Sequence, residues 1–116
     1  MIAKEFEKRP WGCFLVIHDE PNYKIKRIEV DPGERLSYQY HKKRSEAWTI
    51  ICGDGLITLN GVEKDFSNGD TILIPKGAKH RIENRGSEKL IFIEVQTGSY
   101  FGEDDIVRVE DDYNRI

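Results

Sequence analysis

Gln39, His41, Glu46 and His80 have the types and the spacing of a metal-ligand set. Successive side chains of a strand point to opposite faces, so Gln39 and His41 emerge on the same side. Glu46 follows a polar loop, Lys42-Lys43-Arg44-Ser45, at the head of the apolar run Ala47 to Cys52. His80 comes after a Pro75-to-Gly77 turn, where a new strand can begin. Imidazole, carboxylate and amide oxygen make a borderline-to-hard donor set, suited to one divalent ion of zinc, manganese, iron, cobalt or nickel. Ordinary polar histidines on half-exposed strands are the alternative, and it predicts a metal-free barrel.

The elements that must position these residues are short. Strand-like runs cover Trp11 to Ile17, Tyr23 to Val30, Leu36 to His41, Ala47 to Cys52, Gly55 to Leu59 and Val62 to Phe66. Thr71 to Ile74, expected to be a buried strand, His80 to Asn84 and Leu90 to Thr97 follow, and Ile106, Val107 and Val109 are available for a last one. Asn60-Gly61 between two runs is a type I′ hairpin signal. No segment longer than a turn or two has helical periodicity, so the pattern predicts an all-β antiparallel sandwich or jelly roll. In the run Leu90 to Thr97 both parities are apolar enough to be covered, one in the barrel and one under a further layer. Lys26 shares parity with Ile28 and Val30 and faces the core unless a bulge intervenes. An inward amine near a metal would be a substrate contact; a solvated strand end is the bland reading.

With 116 residues the chain reads as a single domain, 1–116. A net charge of -3 and no basic block longer than Lys42-Lys43-Arg44 argue against nucleic acid as a partner. The start, MIAKEFEKRP, lacks an apolar leader, and no apolar run approaches the roughly 20 residues that cross a bilayer, so a soluble, cytoplasmic protein is expected. Cys13 and Cys52 lie in apolar strand patterns and read as reduced, buried thiols.

These residues carry a family resemblance. Gly33, five residues, Gln39-x-His41, four residues, Glu46, six residues and Gly53 is similar to the first cupin motif, with Gln39 where a histidine is usual. Gly69, five residues, Pro75-x-Gly77, two residues, His80, three residues and Asn84 is similar to the second. The resemblance implies an antiparallel double-stranded β-helix, the cupin jelly-roll barrel. RPWG at 9–12, the pattern Gln39-x-His41-x-x-Arg44-Ser45-Glu46-x-Trp48, and EVQTGSYFGEDDIVRVEDDYNR at 94–115 narrow it further. Together they resemble the C-terminal cupin domain of type II mannose-6-phosphate isomerases, the mannose-1-phosphate guanylyltransferase/mannose-6-phosphate isomerase family. Lys42, Lys43 and Ala47 stand where that family usually has further histidines.

The resemblance implies a stand-alone, metal-dependent isomerase, with zinc favoured, interconverting mannose 6-phosphate and fructose 6-phosphate through an enediolate. Such chemistry needs a metal or other group for the oxyanion, a base and a phosphate anchor. Glu46, Glu94 and Lys26 are the catalytic candidates. Arg44, Arg108 and Arg115 are the candidates for holding the phosphate of a phosphosugar, because a guanidinium forks onto phosphate oxygens. Lys76, Lys79 and Arg81 are expected at the surface. A non-catalytic phosphosugar-binding or sensing cupin is the second reading. A non-haem iron oxygenase is the third, disfavoured because Gln39 would fill a position that oxygen needs. Barrel edges need covering, so a homodimer is expected.

Overall fold

The computed structural model describes residues 5–115, so Met1 to Lys4 of the polar lead and Ile116 lie outside the described residues. Its strands are β1 Glu5–Arg9, β2 Gly12–Glu20, β3 Tyr23–Val30, β4 Tyr38–Tyr40, β5 Arg44–Cys52, β6 Gly55–Leu59, β7 Val62–Phe66, β8 Thr71–Ile74, β9 His80–Asn84, β10 Leu90–Gly98 and β11 Val107–Glu110. No helix occurs among the described residues, and every named strand pair is antiparallel. A six-stranded sheet runs β1-β2-β3-β10-β5-β8, and a five-stranded sheet runs β11-β4-β9-β6-β7. The all-β cupin architecture expected from the motifs is the one observed.

The core lies between the sheets. Ile28 and Val30 of β3, Trp48 and Ile50 of β5, Phe92 of β10, and Ile57 and Ile82 of the smaller sheet meet there. Each such side chain contributes roughly 1.5–3 kcal/mol by leaving water. Trp48 and Phe92 stack obliquely, with ring centroids 4.8 Å apart. At one end of the barrel this apolar filling gives way to ionisable side chains.

Several expectations are corrected. The first ligand strand, Tyr38–Tyr40, is shorter than Leu36 to His41, because Leu36 approaches β9 through single bonds and not through a ladder. Leu36 N donates to the Ile82 carbonyl at 3.1 Å, and Arg81 Nε donates to the Leu36 carbonyl at 3.0 Å. Among the described residues β8 is an edge strand beside β5, and Thr71 and Leu73 lie on the outer face with Thr49 and Ala47, so they are exposed and only Ile74 is buried. In β10, Leu90, Phe92, Glu94 and Gln96 point inward, while Ile91, Ile93 and Val95 form a half-buried outer face with no further layer over it among the described residues. Cys13 and Cys52 are free but half-buried, since both fall on that outer side. The end of the polar lead is itself a strand, β1, zipped to β2 from Glu5↔Val16 to Arg9↔Gly12.

Register explains Lys26. The β2 irregularity falls between Val16 and His18, beyond the Val16↔Lys26 pair, so the parity of β3 is undisturbed and Lys26 points inward at 3% exposure. Asn60 and Gly61 both have positive φ, 48° and 82°, as the type I′ turn requires.

Gly98 fixes the approach of the site loop to the sheet. It has φ +152°, and a Cβ there would land on the Lys43 carbonyl beside the Arg44 backbone. Gly98→Ala should therefore destabilise the fold by about 2–3 kcal/mol through overpacking and backbone strain. Urea unfolding checks this, and an unchanged midpoint would mean that the loop yields freely.

Candidate metal centre

Three elements bring the donors together. Gln39 on β4 and His80 on β9 are direct cross-strand partners, so their side chains share one face. His41 follows β4 by one residue, and Glu46 comes from β5 in the facing sheet. Glu46 Oε2 lies 3.4 Å from His41 Nε2, and Glu46 Oε1 lies 3.7 Å from His80 Nε2. Donor atoms of His41, Glu46 and His80 all fall within 4.8 Å of one another. All three residues are buried, as is Gln39, which lines the same cavity.

Both imidazoles are aimed by their far nitrogens. His41 Nδ1 sits 2.6 Å from the Asp105 carbonyl, and His80 Nδ1 sits 2.8 Å from the Ala78 carbonyl. A carbonyl only accepts, so each Nδ1 carries the proton and each Nε2 presents its lone pair to the cluster. Burial, then the Arg44 guanidinium, pushes His41 down to about 4. Burial lowers His80 as well, outweighing the upward pull of the Ala78 carbonyl. Both rings are neutral at pH 7, the form a metal requires. His41 Nε2 lies 3.2 Å from Arg44 Nη2, whereas the buried His80 Nε2 has no hydrogen-bond partner. An unpartnered buried acceptor beside a carboxylate fits a divalent ion, which would supply Lewis-acid polarisation of a ligand oxygen.

The two buried carboxylates are differentiated by their surroundings. Glu46 accepts from Arg44 Nε at 2.8 Å and from Trp48 Nε1 at 3.0 Å, which stabilises its charge. Glu94 accepts from the same indole at 3.3 Å and from Gln96 Nε2 at 3.0 Å. Burial, then the Glu46 charge, pushes Glu94 up to about 8, so it is protonated at pH 7.

Cations ring the mouth. Lys26 Nζ lies 2.7 Å from Glu103 Oε2 and 4.2 Å from the Phe14 ring centroid. Arg108 pairs with Gln39 across β11 and β4, and its buried Nε has no partner. Arg115 forks onto Asp111 with two bonds of 2.8 Å, and these hydrogen bonds bring Asp111 down to about 2.

Gln39, His41, Glu46, His80, Lys26, Glu94, Arg44, Arg108 and Arg115, nominated from sequence, all line one cavity. Sequence reasoning missed Arg9, which reaches the cavity from the β1–β2 hairpin, and Glu103 and Asp105 on the segment after β10. Trp48 packs in the core, and its indole also bridges both carboxylates. The acidic stretch GEDD was visible in the chain, but nothing local says that it folds back 64 residues onto His41. Lys76 and Lys79 are exposed as expected. Arg81 is corrected: it is buried on β9 at 6% exposure, where Nε holds the Leu36 carbonyl, away from the cavity.

The family described as mannose-6-phosphate isomerase C-terminal matches residues 3–111. The chain belongs to that family. Mannose-1-phosphate guanylyltransferase ManC of Salmonella typhimurium is 46% identical over 108 residues, which is 93% of this chain and 22% of that protein. The xanthan biosynthesis protein XanB of Xanthomonas campestris is 43% identical over 107 residues, 92% of this chain and 23% of that protein. The chain thus spans under a quarter of the curated relatives it matches. Among solved structures, the capsular polysaccharide assembling protein CapF of Staphylococcus aureus superposes over 91% of this chain and 34% of its own, with TM-score 0.81 at 20% identity. KdgF from Halomonas covers 86% of this chain and 89% of its own, with TM-score 0.74 at 15% identity. At such identities these likenesses establish the fold alone.

The relatives correct the functional expectation. A stand-alone isomerase interconverting mannose 6-phosphate and fructose 6-phosphate is not what they are: they bear guanylyltransferase and polysaccharide-synthesis names, and this chain matches only a minor part of each. The guanylyltransferases among these relatives are bacterial enzymes by name. No helix among the described residues is long and apolar enough to cross a membrane.

Two outcomes test the centre. Elemental analysis of protein purified without a metal-affinity tag should find one divalent ion per chain, and His80→Ala should lose most of it because one donor of the set is gone. Full occupancy in that variant would mean that the ligand set is wrong. Glu94 is held above its ordinary 4.5, so the stability it contributes is full below that value and is lost as pH rises through about 8. Glu94→Gln, neutral at every pH, should flatten that decline in urea titrations of metal-free protein. An unchanged pH profile would place an ionised carboxylate there instead.

Proposed function

We propose that the cavity binds a mannose phosphate at a divalent metal ion, zinc being favoured by the two-imidazole, one-carboxylate donor set. One observation carries the reading. His80 Nε2, Arg44 Nη1 and Arg108 Nε are buried, lack hydrogen-bond partners and line the same cavity. A buried lone pair calls for a cation, and buried N–H groups call for acceptor oxygens. A sugar phosphate next to a metal ion answers both requirements at once.

In this reading His41, Glu46 and His80, with the Gln39 amide oxygen, hold the ion. Sugar oxygens meet the ion, Glu94 offers them a carboxyl proton at neutral pH, and the guanidiniums of Arg44 and Arg108 take the phosphate. Asp111 already occupies the fork of Arg115, so Arg115 shapes the mouth and leaves the phosphate to its neighbours. The names of the relatives support the substrate class, since mannose 1-phosphate is the sugar phosphate they specify. The cupin chain then serves mannose-phosphate metabolism as its metal-dependent sugar-phosphate receptor, working in the cytoplasm where such phosphates are made.

Titration calorimetry with mannose 6-phosphate and mannose 1-phosphate should give saturable binding to metal-loaded protein and none after chelation. Arg44→Ala should weaken that binding by about 1.5–3 kcal/mol, the worth of a hydrogen bond to a charged group. Affinity unaffected by chelation, or by loss of Arg44, would overturn the reading.

A further inference from the structure

Glu103 has an unusual place in this cavity. Its carboxylate enters from the segment between β10 and β11 and is the shared counter-ion of three cations from three different strands. Oε2 lies 2.7 Å from Lys26 Nζ and 3.8 Å from Arg44 Nη1, and Oε1 lies 3.9 Å from Arg9 Nη2. Only the first of these is a hydrogen bond; Arg44 Nη1 finds no partner although it is buried. The Glu103 carboxylate thus hydrogen-bonds Lys26 alone; Arg44 Nη1 is left unpartnered, and Arg9 Nη2 donates to Glu7 Oε2 at 2.5 Å.

The exposures are equally uneven. The side chains of Lys26 and Arg44 are 4% and 6% exposed, whereas that of Glu103 is 42% exposed. Lys26 and Arg44 are built into the barrel wall, Arg9 is 30% exposed at its rim, and the anion leans in from solvent. Its backbone is tethered independently, because the Asp105 carboxylate accepts from Lys42 N at 3.1 Å and from Lys43 N at 2.9 Å. Rotation about the Glu103 side-chain bonds therefore frees the carboxylate into water without unfolding the segment. Lys26 and Arg9 also lie against one apolar ring, that of Phe14, at 4.2 and 5.1 Å from its centroid, a contact for both cations that does not depend on the carboxylate.

We propose that Lys26, Arg44 and Arg9 form the seat of the ligand's phosphate, and that Glu103 is an internal occupant of that seat which the phosphate displaces. The proposal rests on the phosphate-binding reading above and adds to it the seat, two ligands that reading did not use, and a built-in competitor. A tetrahedral phosphate presents three oxygens and a greater charge, so it can fill Arg44 Nη1, which the carboxylate leaves unpartnered, while holding Lys26 and drawing Arg9 from Glu7. Every ligand using the seat must first expel Glu103, so the apparent affinity is reduced by the fraction of time the seat is blocked.

The test is calorimetry on the full metal-loaded chain, comparing mannose 6-phosphate with unphosphorylated mannose. Glu103→Gln keeps an acceptor for Lys26 but removes the charge, and it should tighten mannose 6-phosphate about tenfold if the seat is blocked nine-tenths of the time. Mannose, which does not need the seat, should bind the variant and the parent alike. Adding Arg9→Ala to Glu103→Gln should reverse most of the gain. Glu103→Asp, which keeps the charge but shortens the reach to Lys26, should tighten the phosphorylated sugar in the same direction. Unchanged or weaker mannose 6-phosphate binding in Glu103→Gln, with the parent binding normally, overturns the competitor and leaves the phosphate-binding reading standing. Equal tightening of mannose would make Glu103 a steric cover and also overturn it. No saturable binding to parent or variant overturns both readings together.

Discussion

Glu46 sets the terms for the rest of the structure. It is a carboxylate at 4% exposure inside a barrel otherwise packed with tryptophan, phenylalanine and isoleucine. Taking such a charge out of water costs several kcal/mol unless neighbours replace the lost hydration. Its two oxygens are therefore met by a guanidinium and an indole, at 2.8 and 3.0 Å, and face two neutral imidazoles. The same constraint governs the other ionisable groups around it. His41 and His80 are held uncharged, Glu94 is held protonated, and Lys26 is paired with Glu103. Three of the buried groups left without a partner, His80 Nε2, Arg44 Nη1 and Arg108 Nε, line one cavity, where an unpaired acceptor and unpaired donors stand side by side.

Holding that arrangement explains features remote from it. The segment after β10 folds back so that the Asp105 carbonyl fixes the tautomer of His41, while its carboxylate caps the Lys42 and Lys43 amides. Gly98 lets β10 lie close against the Lys43–Arg44 backbone. The C-terminal residues are pinned over the smaller sheet by Tyr113 donating to Glu34 at 2.6 Å and by Arg35 donating to Asp112 at 2.7 and 2.9 Å. That tail also brings Arg115 to the mouth.

Family membership and the functional expectation part company at a particular point. The motif residues, the barrel and the ligand geometry agree with one another, but the reaction inferred from the isomerase part of the family name does not follow from them. The relatives are several times longer than this chain and bear transferase names. A conserved type of barrel hosts many chemistries, and the activity of a longer relative is not a property of the part that matches.

The residues that gather at the candidate metal centre were legible in the chain because they sit at fixed offsets from turns: Gln39 and His41 by the period of two, His80 by its distance from the Pro75 turn. The barrel was legible for the same reason, since strand length and turn chemistry are local. Even the inward facing of Lys26 followed from parity, which survives because the β2 irregularity lies beyond its partner. What only the tertiary structure decided involves residues far apart in the chain. Glu103 reaches Lys26 across 77 positions, Asp105 reaches His41 across 64, and Trp48 reaches Glu94 across 46. The exposure of β8 belongs to the same class, for it has the composition of a buried strand, yet Thr71 and Leu73 stand on an outer face that no further layer covers among the described residues. Periodicity reports which way a side chain points, whereas desolvation and pairing depend on what the other strands bring to meet it.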